Sequence, residues 1–105
     1  MKSLKVWSQG DLIIIEEPVP ESAKKKEDHD GIFLRGEVTG HAHRIIKGEA
    51  RFFLDGLTAR AWALTDLEIG HEDHPSIRIP ARTQFRYYQE READWVEEIN
   101  RNVAD

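Results

Sequence analysis

Short apolar segments, each ended within a few residues by glycine, proline or charge, run along the sequence as far as residue 90. The run Leu12–Ile15 is typical, since it follows Gly10 and Asp11 and is stopped by two glutamates and a proline. Runs of this length predict β-strands, because an amphipathic helix needs an apolar stripe sustained over roughly ten residues or more. The continuous apolar character of Leu12–Ile15 further predicts a strand near the centre of a sheet, covered on both faces.

The chain has 105 residues, of which 39% are hydrophobic and 9% aromatic. A chain of this size buries about two-thirds of its unfolded surface, which is enough for one modest core. We therefore expect residues 1–105 to form a single domain and exclude a two-domain enzyme.

Charge and cysteine content exclude several kinds of function. Fifteen Lys and Arg against twenty Asp and Glu give a net charge of −5, which disfavours nucleic acid as a partner. The absence of cysteine excludes disulfides, thiolate metal sites, iron–sulfur clusters and cysteine nucleophiles. The apolar run near the amino terminus is too short for a signal peptide or a membrane span, so we expect a cytoplasmic protein with no membrane partner.

Residues 18–30 form the most polar part of the first half of the chain. They contain two prolines, the run Lys24–Lys26 and almost no apolar side chain. Such a segment cannot bury enough surface to offset the entropy of ordering it. It is therefore predicted to be a mobile charged loop within the single domain.

The clearest local turn signal is Asp55 followed by Gly56 between two apolar segments. This dipeptide favours the positive φ angles of a type I′ turn, which predicts a hairpin of Ala50–Leu54 with Leu57–Leu64. The period of two in the second arm places three small side chains on one face, namely Ala59, Ala61 and Ala63.

The last third of the chain has two different patterns. Ser76–Ile79 alternates polar and apolar residues before a proline, which predicts a second hairpin with Thr83–Gln89. Trp95, Ile99 and Val103 recur every four residues, which predicts a short carboxyl-terminal helix. The predicted fold class is thus all-β, a mostly antiparallel small barrel or sandwich of about seven or eight strands, with that helix at its end.

Four of the five histidines form two tight pairs, His41 with His43 and His71 with His74. Residues i and i+2 of a strand share a face about 6.6 Å apart, so His41 and His43 can converge on one metal ion. The second pair can also converge if its loop turns tightly, and a carboxylate could join it from Glu72 or Asp73. The sequence leaves open whether the two pairs meet in space.

The stretch 36–56, GEVTGHAHRIIKGEARFFLDG, resembles the first metal-binding motif of the cupins, with a glycine, a His-x-His pair, a glutamate and a second glycine. The resemblance implies a metal held by His41, His43 and Glu49. The spacing differs from the family pattern by one residue before His41 and by one or two before Glu49. The histidine of the second cupin motif has no counterpart after Pro80, so His71 or His74 would have to complete the site.

The cofactor that this resemblance implies is a divalent transition metal. Two histidines and one carboxylate form the face that holds iron(II) with open positions, and zinc, nickel or manganese suits a site with more histidines. The strings GDLIII, GEVTGHAH, HEDHPSIRIP and QRE also resemble those of small bacterial and phage-borne proteins, a likeness that implies no activity.

Two functions therefore remain open: a small metal-binding domain of unspecified activity, or a non-catalytic interaction module whose histidines are structural. His29 is predicted to be solvated in either case, and a solvated side chain is favoured over a metal ligand for Glu49. The chain could also form a homodimer. Arg78 and Arg86 interleave with Phe85, Tyr87 and Tyr88, which we interpret as a structural hairpin rather than a nucleic-acid surface.

No serine-hydrolase, P-loop or dinucleotide motif occurs, and the small-molecule or protein partner is not identified.

Overall fold

The computed structural model describes residues 4–36 and 40–90. The predicted carboxyl-terminal helix falls on residues 91–105, outside the described part of the chain. Over the two described ranges the regular structure is all β, which confirms that part of the predicted fold class. Among the same residues, no helical segment has the length and apolar character that crossing a membrane requires.

Ten strands make up the described chain. In sequence order they are β1 (Val6–Gln9), β2 (Leu12–Glu16), β3 (Lys24–Lys26), β4 (Ile32–Arg35), β5 (Ala42–Lys47), β6 (Ala50–Asp55), β7 (Thr58–Ala63), β8 (Leu67–Gly70), β9 (Ile77–Ile79) and β10 (Gln84–Gln89). One sheet has the order β1-β2-β10-β7-β6-β3, and the other has the order β4-β5-β8-β9. Every pairing is antiparallel, as the sequence predicts.

The two sheets share one hydrophobic core. Leu12, Ile14 and Phe85 of the larger sheet and Leu67 and Ile69 of the smaller sheet are all buried in it. The sheets do not close into a barrel, so the barrel alternative is wrong. Closure would need hydrogen bonds between the outer strands of the two sheets, and no such pairing joins them in the described residues.

β2 lies between β1 and β10, which confirms the central strand predicted at Leu12–Ile15. Its two faces differ, however. Leu12 and Ile14 are fully buried, whereas Ile13 and Ile15 lie on the outer face and are half-buried. The apolar run therefore overstates the burial of the outer face.

The β6–β7 hairpin forms as predicted, but its turn lies one residue further along the chain. Asp55 pairs with Thr58, so the two-residue loop is Gly56-Leu57. Gly56 has a φ of 61° and Leu57 does not have a positive φ, which is the signature of a type II′ turn rather than the predicted type I′. A type II′ turn needs a positive φ at its first central residue, and Gly56 supplies it.

The predicted hairpin of Ser76–Ile79 with Thr83–Gln89 is wrong. β9 pairs with β8 in the smaller sheet, while β10 pairs with β2 and β7 in the larger one. The turn between them carries the chain from one sheet to the other, and the Arg82 amide donates to the Ala63 carbonyl at 2.7 Å. Alternation identifies a strand and its buried face, but it does not select the strand's partner.

The charged segment 18–30 contains a short strand that the sequence does not predict. β3 pairs with β6 at the edge of the larger sheet, and its three lysines are exposed. Lysine is a common edge-strand residue because its charge opposes pairing with another chain. The backbone ladder thus orders a stretch that buries little apolar surface, and the mobility of this segment stays a prediction.

His29, predicted to be solvated, is largely buried. Its ring stacks on Phe52 with centroids 3.4 Å apart, and its side chain is only 12% exposed. The Gly31 amide donates to its Nδ1 at 3.0 Å. Sequence polarity around His29 concealed this contact, which depends on the pairing of β3 with β6.

Burial lowers the pKa of His29 from 6.5, against the opposing effect of Asp30. The unfolded chain therefore binds a proton at His29 more readily than the folded chain does. It follows that the free energy of unfolding falls as the pH drops below about 6.5. A His29→Phe variant, which keeps a ring on Phe52, is expected to lose less stability than the wild type between about pH 7.5 and 5 in urea titrations. Equal losses in the two proteins would contradict this assignment.

Candidate metal centre

The two histidine pairs meet at one end of the smaller sheet. The His71 ring centroid lies 5.7 Å from that of His41, 4.3 Å from that of His43 and 4.7 Å from that of His74. The pairing of β5 with β8 causes this meeting. Arg44 pairs with Gly70 in antiparallel register, so the residues just before Arg44 lie opposite those just after Gly70. We call these four residues the histidine cluster.

His43 is the buried member of the cluster, with its side chain 4% exposed. Its Nδ1 lies 2.9 Å from Oε1 of Gln9, and its Nε2 lies 2.9 Å from Oδ1 of Asp11. The Gln9 amide nitrogen donates to the carbonyls of Ile69 and Pro75, both at 2.9 Å. These two bonds fix the amide orientation, so Oε1 faces His43 and Nδ1 carries the donated hydrogen.

Burial lowers the pKa of His43 from its usual value, while the hydrogen bond to Asp11 opposes that shift. Burial alone would raise the pKa of Asp11, but hydrogen bonds from Gln89 and His43 hold it below its usual value. Asp11 is therefore an ionised carboxylate at neutral pH. It places a negative charge beside His43, whose burial disfavours the cationic form of the ring.

A second group of ligand atoms lies at the exposed side of the cluster. One nitrogen of His41, one nitrogen of His71 and one carboxylate oxygen of Glu72 lie within 4.8 Å of one another. Glu72 accepts hydrogen bonds from the Ala42 amide at 3.0 Å and from Arg44 at 3.2 Å. The Ala42 amide is the main cause of the lowered pKa of Glu72, so this carboxylate is also ionised.

Asp73 contacts both histidines of that group. Its carboxylate lies 2.7 Å from Nδ1 of His41, an arrangement that in metal sites orients a histidine so that its Nε2 faces the ion. Its backbone amide donates to Nδ1 of His71 at 3.0 Å. In neutral His71 the hydrogen is therefore on Nε2. A metal at Nδ1 would replace the Asp73 amide, and a metal at Nε2 would require the hydrogen to move to Nδ1, so in either case the hydrogen bond from the Asp73 amide is lost.

The spacing of these atoms fits a metal ion after a small contraction. Ligand atoms about 2.0–2.2 Å from a zinc ion lie roughly 3.0–3.5 Å apart from one another. His41, His71 and Glu72 would thus need to approach by no more than about 2 Å. His41 and His71 are half-buried and Glu72 is exposed, and this approach would change the contacts that they make with Asp73, Ala42 and Arg44.

A cavity of about 220 Å³ adjoins the cluster. Asp11, His41, His43, His71 and Asp73 line it, together with Leu34 and Arg35 of the adjacent strand β4. A cavity of this size has room for several water molecules or one small ligand. An ion bound by three side chains would therefore have access to exchangeable ligands.

The structure brings His41, His43, His71 and His74 together and does not bring Glu49 to them. Glu49 is exposed and lies beyond Lys47, the last residue of β5, which is about 13 Å along the strand from His43. Its backbone amide bonds to the Thr65 hydroxyl. The sequence argument considered Glu72 and Asp73 as additional ligands.

Gln9 and Asp11 are the site residues that sequence reasoning missed. They flank the β1–β2 turn, more than thirty residues from His43, and no motif connects them to it. A small signal exists at Gly10, where an added Cβ would lie 2.5 Å from Nε2 of His74. A turn glycine next to an aspartate is thus explained by the close approach of a histidine, but only once the structure is known.

Comparison with known proteins gives one match. A domain family of unknown function, DUF8820, matches residues 8–83, and the chain therefore belongs to that family. The matched range includes the histidine cluster together with Gln9, Asp11 and Glu72. No curated protein and no solved structure matches the chain.

Proposed function

We propose that this protein binds one divalent transition-metal ion at the histidine cluster, with His41, His71 and Glu72 as ligands. The observation that carries the proposal is the convergence of two imidazole nitrogens and a carboxylate oxygen within 4.8 Å. His41 comes from one string of the sequence and the adjacent residues His71 and Glu72 come from another, and the pairing of β5 with β8 brings the two strings together. They offer the nitrogen and oxygen donors that such ions take in proteins.

The charges around the cluster support the same proposal. Asp11, Glu72 and Asp73 lie beside the four imidazoles, while Arg44 pairs with Glu72. A divalent ion bound among these side chains would be attracted by the carboxylates.

The donor set narrows the choice of metal. Two imidazoles and one carboxylate, with no thiolate available in the chain, suit zinc, iron(II), nickel or manganese. When bound with open positions, such an ion supplies Lewis-acid chemistry toward a ligand in the adjoining cavity. The Asp73 carboxylate would hold the His41 ring in place, and the Gln9–His43–Asp11 hydrogen bonds would support the neighbouring loop.

This proposal differs from the simple cupin-like set of His41, His43 and Glu49. His41 is kept. Glu72 takes the place of Glu49, because Glu49 lies at the other end of β5. His43 becomes a supporting residue, because both of its ring nitrogens already face Gln9 and Asp11.

Elemental analysis of the untagged protein tests the proposal, after chelation and reloading with each of the four metals. We expect about one ion per chain in the wild type and a loss of at least tenfold in a His41→Ala/His71→Ala variant. Glu72→Gln is expected to weaken retention, whereas the matched change Glu49→Gln should leave it unchanged. Metal content that is absent from the wild type, or unchanged in the double variant, would refute the proposal.

The alternative function is an interaction module, which the outer face of the larger sheet favours. Val6, Trp62 and Tyr88 expose 60%, 38% and 43% of their surface there. A homodimer through this face would give a doubled mass in light scattering, and Trp62→Glu would restore the monomer. A monomeric wild type would count against the homodimer. The cytoplasmic location expected from the sequence stays a proposal as well.

A further inference from the structure

A second cavity, of about 520 Å³, lies where β3 and β4 face the ends of β7 and β10. It is a different cavity from the one of about 220 Å³ that adjoins the histidine cluster. β7 begins at Thr58, next to the position where Ala59 pairs with Tyr87, whereas β10 continues to Gln89. The larger sheet therefore has a notch beside β4, and its volume lies in the range of small-molecule pockets.

One part of the wall of this cavity is apolar and aromatic. Phe33 and Tyr87 form an edge-to-face pair with centroids 4.9 Å apart, and both line it. Ile32, Leu34 and Leu57 complete the apolar surface, and Leu57 is fully exposed. A planar ring placed here would contact aromatic faces and edges at the distances that such pairs favour.

The polar groups of the same cavity are mostly hydrogen-bond donors. Lys26, His29 and Arg86 line it, and so do the hydroxyl-bearing residues Thr58 and Tyr87. The Gly31 amide donates a hydrogen bond to Nδ1 of His29. In the neutral ring the hydrogen is therefore on Nε2, which is a donor. Arg86 uses one side of its guanidinium to pair with Glu17 at 3.2 Å.

Among residues 4–36 and 40–90, no carboxylate lines the cavity, although the chain as a whole has a net charge of −5. Two acidic residues contact its lining residues: Asp30, whose oxygens already accept bonds from the Ile32 amide and from Arg35, and Glu17, which pairs with Arg86. A cationic, donor-rich pocket in an acidic protein selects against cations and favours an anion by Coulomb attraction.

We propose that this cavity binds a small organic anion with an aromatic body. The ring system lies against Phe33 and Tyr87, and the acid group meets Lys26 and Arg86 at the rim. The binding does not require the metal, because none of the proposed metal ligands lines this cavity. Leu34 lines both cavities, so a bound anion lies one side chain away from the histidine cluster.

Fluorescence titration with the aromatic sulfonate 1-anilinonaphthalene-8-sulfonate tests this inference on the full chain after chelation. The same titration with N-phenyl-1-naphthylamine, which has the ring system without the sulfonate, measures the contribution of the charge. We expect saturable binding of the sulfonate with one site per chain and at least fivefold weaker binding of the neutral analogue. The metal-free protein is used so that failure of the metal proposal does not affect the result.

A Lys26→Gln variant is expected to weaken sulfonate binding at least threefold and to leave the neutral analogue unaffected. Lys25→Gln is the matched control, since Lys25 is the preceding residue of β3 and does not line the cavity. Near-UV circular dichroism of each variant establishes that it is folded. Absence of binding, equal affinity for the two probes, or equal effects of the two substitutions would overturn the proposal.

Discussion

A Gln9→Ala variant is expected to have a free energy of unfolding about 3 kcal/mol or more below that of the wild type. Gln9 is 3% exposed and makes three hydrogen bonds, to His43, to the Ile69 carbonyl and to the Pro75 carbonyl. Its loss leaves each of these groups without that partner, and an unsatisfied buried polar group costs about 1–3 kcal/mol. Urea unfolding at neutral pH measures the difference.

The same substitution is expected to weaken metal retention, because Gln9 joins β1 to the strand and the loop that carry His71 and His74. Ser8→Ala is the matched control, since Ser8 is the preceding residue of β1 and is exposed. It should change stability by less than about 0.5 kcal/mol. A Gln9→Ala protein as stable as Ser8→Ala would show that the buried hydrogen bonds of Gln9 do not hold this end of the sheet.

Gly48→Ala is expected to be about as destabilising, at roughly 3 kcal/mol, because it combines two costs. Gly48 has a φ of 95°, a conformation that side chains with a Cβ rarely adopt. An added Cβ would also lie 2.2 Å from the Asp66 carbonyl oxygen, a backbone atom that cannot rotate away. Gly48 follows β5, so relief of the clash has to move the chain where it passes from one sheet to the other.

Gly56→Ala separates these two costs. Gly56 also has a positive φ, 61°, but an added Cβ there meets no atom within 4 Å. The Gly56→Ala substitution should therefore lower the free energy of unfolding only through the backbone conformation, by about 1 kcal/mol. Thermal unfolding of the two variants side by side provides the comparison, and a Gly48→Ala protein no less stable than Gly56→Ala would contradict the close approach at Asp66.

Local sequence patterns predicted the strands well and their partners poorly. Apolar runs and turn glycines placed β2 and the β6–β7 hairpin, because both features depend on neighbouring residues. The pairing of β9 with β8 depends on contacts across the core, and alternation carries no information about it. β3 was missed for a related reason, since its lysines are ordered by the β6 backbone rather than by burial.

For the candidate site, too, the sequence predicted the local features but not the contacts between distant residues. The His-x-His spacing predicted that His41 and His43 share a face, and both rings do contact His71. The sequence could not show that His71 and Glu72 lie opposite them, because this follows from the register of Arg44 with Gly70. The choice between Glu49 and Glu72 likewise depends on which end of β5 each one approaches.

Anomalous X-ray diffraction from crystals of the metal-loaded protein, recorded on both sides of the metal's absorption edge, tests the central claim most directly. The account predicts one anomalous peak per chain, within about 2.3 Å of ligand atoms of His41, His71 and Glu72. A peak at other residues, or no peak in crystals grown with excess metal, would contradict it.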